Sequence, residues 1–162
     1  MTDERVDRVL DGRAWAEFCD TLKASGEIVL RESSPGDALD RAEGFRYLTR
    51  VARMALGQFV EMPDSEAPVL RRTADPTMKL GCDNPDSYYL MATLSGNHEY
   101  RIRGHRGSVP YLSLSTYYGG YGGGRAGCGG TLGLDELEIQ PDGTFEIIVS
   151  TTQHAGNWLP MD

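Results

Sequence analysis

The chain has 162 residues, the length of one ordinary domain, and can bury about 70% of the surface its unfolded form exposes, which excludes a stapled miniprotein. Sixteen Lys and Arg against 24 Asp and Glu leave a net charge of −8, which disfavours nucleic acid and anionic membrane as partners. Cys19, Cys82 and Cys128 are odd in number and widely spaced, so neither a disulfide framework nor a zinc site is expected. Reduced thiols point to the cytoplasm. The start Met1-Thr2-Asp3-Glu4-Arg5 has no signal-peptide core, and no apolar run approaches the roughly 18 residues of a spanning helix.

Residues 1–62 read as a helical N-terminal segment. Trp15, Phe18, Cys19 and Leu22 recur at helical spacing, with Gly26 expected to stop that helix. After Ser33-Ser34-Pro35-Gly36, Asp37 or Asp40 can cap a second helix whose apolar stripe is Phe45, Leu48, Ala52, Ala55 and Phe59. Its arginines, Arg41, Arg46, Arg50 and Arg53, read as a solvated face.

Prolines at 63, 68, 76 and 85 make residues 63–86 a connector, with one short strand at Val69-Leu70-Arg71. From residue 87 to 162 the period becomes two, as in an antiparallel β-sandwich. Tyr88 to Gly104 reads as a hairpin around Ser95-Gly96-Asn97, setting Leu90 opposite Ile102. Tyr111 to Tyr118 forms a strand with Leu112 and Leu114 on one side. Gln140-Pro141-Asp142-Gly143-Thr144 is a turn of type I with Gly143 in the left-handed position, and it sets Leu137 opposite Ile147 and Glu138 opposite Glu146. The fold class expected is α+β, N-terminal helices followed by an antiparallel sandwich, with all three stretches forming one structural unit.

Chemistry is sparse. Gly122, Gly124 and Gly127 satisfy G-x-G-x-x-G, but the stretch leads into another strand instead of opening a helix, so no dinucleotide cofactor is implied. The run from Gly119 to Gly130 reads as a flexible loop that could close over a ligand, with Arg125 as a bidentate donor. Beside it, Tyr111, Ser113, Ser115 and Tyr117 share one strand face and combine flat apolar rings with hydroxyls. His98, His105 and His154 lack any spacing that aims two imidazoles at one metal ion. Glu138 and Glu146 are the candidates for a general acid and base, although Arg101 and Arg103 are placed to neutralise them. Trp158 is expected to anchor the C-terminal segment.

From about Ala14 onward the chain resembles the bacterial domain of unknown function 1214 family, in its actinobacterial type with a helical N-terminal segment. The resemblance rests on residues 41–50 (RAEGFRYLTR), 83–86 (DNPD), 100–104 (YRIRG), 106–112 (RGSVPYL), 141–147 (PDGTFEI) and 156–161 (GNWLPM). It implies a jelly-roll type of sandwich and carries no assigned reaction. Similar proteins continue past Asn157-Trp158-Leu159-Pro160, so a sheet edge is expected to lie open and to pair with another copy. Together these readings give a cytoplasmic domain that binds a sugar, steroid or aromatic acid on the Tyr111, Ser113, Ser115 and Tyr117 face under the glycine loop. The alternatives are a hydrolase using the two glutamates, or a purely structural or interaction domain.

Overall fold

In a computed structural model of the chain, which describes residues 3–61, 64–120 and 123–162, two aspartates open helices. Asp3 Oδ1 accepts the Arg5 N–H at 3.1 Å ahead of α1 (Glu4–Leu10), and Asp37 Oδ1 accepts that of Asp40 at 2.8 Å ahead of α3 (Ala38–Leu56). Between them α2 (Arg13–Leu30) runs straight through Gly26, which does not act as a stop. A Cβ on Gly26 would meet Phe45 at 3.7 Å, and one on Gly44 would meet Val29 at 2.6 Å. At Gly44 the missing Cβ lets α3 approach Val29 of α2 closely, while at Gly26 the contact with Phe45 is an ordinary one and the glycine is simply carried inside the helix at a cost of roughly 1 kcal/mol. Among the described residues no helix is long and apolar enough to cross a membrane.

The chain divides into two compact units, Met1–Pro63 with Val69–Thr93, and Asp64–Pro68 with Leu94–Asp162. In the first, α3 passes through a π-helical turn (Gly57–Glu61), and the chain then forms β1 (Arg71–Arg72) and β2 (Leu90–Met91), paired antiparallel. Most of the expected connector therefore belongs with the helices. Arg53 donates to Thr77 at 3.3 Å, and buried Gln58 donates to Thr93 at 3.0 Å.

The second unit carries β3 (Tyr100–His105), β4 (Ser113–Gly120), β5 (Gly123–Gly133), β6 (Thr144–Ser150) and β7 (Trp158–Pro160). One sheet has the order β3-β6-β7, with β3 antiparallel and β7 parallel to β6; the other is the antiparallel pair β4-β5. The fold is mixed α+β, and the parallel β7 departs from the all-antiparallel expectation. Leu137, Ile147, Val149 and Leu159 are buried at the centre, and Leu112, Leu114 and Leu132 pack on them. Tyr100 Oη accepts from Ser95 N and donates to Ser65 O, both at 2.8 Å, tying residues 64–68 to this unit.

Both expected hairpins change partners. The turn at Ser95 forms, with His98 N donating to Ser95 O at 3.1 Å, but Leu90 pairs with Arg72 and Ile102 with Ile147. Tyr100 and Ile102 bury more apolar surface against Val149 and Ile147 than Ala92 and Leu90 could offer. The Pro141-Asp142-Gly143 turn also forms: Gly143 has φ +86°, and its N–H reaches Gln140 O at 2.8 Å. Beyond it, Leu137 and Ile139 do not continue as a strand: the Asn157 side chain stands between Glu138 and Glu146, and β7 takes that edge of β6 from Ile148 to Ser150. The plug expected of Trp158 falls to Leu159, which is 2% exposed, whereas Trp158 is half-buried and donates from Nε1 to Ser150 Oγ at 3.1 Å.

Candidate functional site

The glycine-rich run is a strand, not a loop. Residues from Gly123 onward form β5 against β4, pairing Ser115 with Thr131, Thr116 with Gly130, Tyr117 with Cys128 and Tyr118 with Gly127. Tyr121 and Gly122, the start of the G-x-G-x-x-G match, lie outside the described residues. A strand so poor in side chains is covered from its neighbours. The Tyr118 ring lies over Gly127, where a Cβ would come within 2.6 Å of the hydroxyl, and Pro160 covers Gly130.

The register sorts the candidate residues onto two faces. Leu114, Thr116 and Tyr118 alternate toward the packed side, where Leu114 joins the core and Thr116 Oγ1 hydrogen-bonds Pro160 O. Ser113, Ser115 and Tyr117 take the open side. Ser115 Oγ and Thr131 Oγ1 are 2.9 Å apart, a cross-strand hydroxyl pair, and Cys128 Sγ lies 3.6 Å from Thr131 Oγ1. Tyr117 is 77% exposed and Tyr111 76%. Thr131 and Cys128 thus join a face that the sequence described through β4 alone. Thr131 reaches it by pairing directly with Ser115, and Cys128 because Gly129 is an extra, bulged residue between Gly130 and Cys128; without that register shift Cys128 would point the other way.

Arg125 is not on this face. Its guanidinium carbon sits 4.7 Å from the centroid of the Tyr118 ring, on the opposite side from Tyr117, and Nη2 lies 3.4 Å from Asp162 Oδ2. The expected donor over the tyrosines is therefore already engaged across the sheet.

Glu146 stands opposite Arg103 on β3. Arg103 Nε donates to Glu146 Oε2 at 2.8 Å, Arg101 Nε lies 3.4 Å from Oε1, and the two guanidinium groups hold this carboxyl below the usual glutamate value. A carboxylate held ionised in this way cannot donate a proton near neutrality. Glu138 is placed by its backbone. Its N–H donates to Asn157 Oδ1 at 2.7 Å, and its carbonyl accepts from Asn157 Nδ2 at 2.8 Å.

A groove of about 590 Å³ runs along α2 and α3, lined by Leu22, Phe45, Leu48, Ala52 and Leu56. Thr49, Arg53 and Glu61 also border it, but its exposed lining is nearly all apolar, and the Arg53 guanidinium is engaged by Thr77.

No family model matches the chain, and no curated protein does. Among solved structures the chain is similar to an uncharacterised protein from Burkholderia cenocepacia, 48% identical with a TM-score of 0.90, over 96% of this chain and 44% of that one. The chain spans less than half the length of that protein.

Proposed function

We propose that the chain is a cytoplasmic carbohydrate-binding module of the domain of unknown function 1214 family, its two sheets packed as part of a jelly-roll sandwich. The observation that carries the binding reading is the open face of β4-β5, where exposed Tyr117 adjoins the Ser115–Thr131 hydroxyl pair. Tyrosine offers a flat apolar body, and the axial C–H face of a pyranose is a matching apolar disc. The hydroxyls of Ser113, Ser115 and Thr131 supply donors and acceptors for ring hydroxyls. A neutral sugar fits better than a steroid, which needs an enclosing cavity, or an aromatic acid, whose carboxylate would want the cation that Asp162 and Tyr118 engage. Family membership is supported by the sequence segments around Arg41, Asp83, Arg106 and Gly156, and a reducing compartment by the odd number and wide spacing of the three cysteines.

A panel of neutral mono- and oligosaccharides, screened by thermal shift, tests this reading. A binder at 100 times its dissociation constant adds about 2.7 kcal/mol of stability. Tyr117→Ala should abolish the shift while leaving the unliganded midpoint in place. A panel without any shift, or a shift indifferent to Tyr117→Ala, contradicts the reading.

A further inference from the structure

The β4-β5 sheet has two strands, and among the described residues neither of its outer edges is paired with a further strand. The adjoining core points the same way. Its four buried residues are ringed by partly buried Leu94, Ile102, Leu112, Leu114, Leu132 and Phe145. Of the two outer edges, β5 is the longer, with 11 residues, and apart from the bulge at Gly129 it carries little that blunts an edge. It has no proline and no lysine, one charge at Arg125, and a run of glycines past which another backbone can pass closely.

The Burkholderia protein supplies the second observation. It shares this framework at 48% identity, yet more than half of its length has no counterpart here, since this chain covers 44% of it. We propose that the outer edge of β5 receives a β-strand from polypeptide corresponding to that unmatched part. The added strand hydrogen-bonds to main-chain groups of Gly123–Gly133 and extends the sheet to three strands. The docking uses a sheet edge, not the Tyr117 face, so it stands or falls separately from sugar binding.

Residue-resolved hydrogen exchange decides the matter, because a strand paired on one edge protects every second amide and a strand paired on both protects all of them. In this chain alone, alternate amides along β5 should exchange fast. In the intact Burkholderia protein, the amides aligned with β5 should all be slow, the alternate set by about tenfold or more. Adding the unmatched Burkholderia segment to this chain should slow the same alternate set. The proposal is overturned if the intact relative retains the alternating pattern, or if protection is gained along β4 instead. It is equally overturned if this chain alone is a dimer with every β5 amide protected, which would make a second copy the occupant.

Discussion

Asn157 holds the main chain of Glu138 in both directions, accepting its N–H at 2.7 Å and donating to its carbonyl at 2.8 Å. The same carboxamide nitrogen lies 3.0 Å from Glu146 O, and the Asn157 carbonyl accepts from Ile148 N at 2.9 Å just before β7 begins. One side chain therefore stands where a direct ladder between residues 137–139 and β6 would run, and it sets the point at which β7 takes over that edge. Asn157→Leu should cost about 2 to 4 kcal/mol, since three hydrogen bonds of roughly 1 kcal/mol are lost and the groups left behind are partly desolvated. Asn157→Asp keeps the acceptor but sets a carboxylate oxygen against the carbonyls of Glu138 and Glu146, so its urea midpoint should also fall well below wild type. Equal midpoints for all three proteins would show that the bridge is incidental.

The Pro-Asp-Gly turn gives a second test. Gly143 has φ +86°, and a Cβ there would lie 2.8 Å from His105 Nε2, the atom that meets Asp142 O at 2.9 Å. Gly143→Val should therefore destabilise by about 2 kcal/mol or more, combining left-handed strain with displacement of the imidazole. An unshifted denaturation midpoint would refute the turn geometry.

At the C-terminal strand the stability should reside in Leu159. Leu159→Ala removes a side chain that is 2% exposed and should cost about 2 to 5 kcal/mol, whereas Trp158→Phe removes one hydrogen bond and should cost about 1 kcal/mol. The reverse order in a denaturant series would mean that the indole, not the leucine, closes the core.

These elements also show what the sequence could and could not convey. Helical spacing located α2 and α3, although Trp15 and Phe59 of the expected stripes are exposed and Phe59 lies in the π-helical turn, and the Pro141-Asp142-Gly143 turn was legible because its chemistry is local. Strand partners were not legible: Ile102 meets Ile147 through a choice made 45 residues away, and the parallel entry of β7 rests on long-range contacts such as the burial of Leu159 and the Asn157 bridge to Glu146. The run from Gly119 to Gly130 has the composition of a loop. It is largely a strand because Tyr118 and Pro160 cover it, and no local pattern announces that. On the candidate face, Ser113, Ser115 and Tyr117 were readable from alternation, while Thr131 depended on the pairing of β5 with β4 and Cys128 on the bulge at Gly129.

Acid should weaken the fold in part through Glu146. The hydrogen bond from Arg103, with Arg101 beside it, lowers this carboxyl below its ordinary value of 4.5. A depressed folded-state value means that the stabilisation is complete above the unfolded value and is lost as pH falls through the folded one. Glu146→Gln should therefore flatten the decline of stability below about pH 4.5, and high salt should shrink the difference because the pair is exposed. An unchanged acid limb would place the acid sensitivity elsewhere.

The central claim is that the open face of β4-β5 binds a neutral sugar, and an amide and side-chain NMR titration with the best saccharide of the panel tests it most directly. The progressive shifts should centre on Ser113, Ser115, Tyr117 and Thr131, with Arg125 and Tyr118 on the far face moving little. Shifts centred on Leu22, Phe45 and Leu56 along the α2–α3 groove, or on Arg101, Arg103 and Glu146, would contradict it.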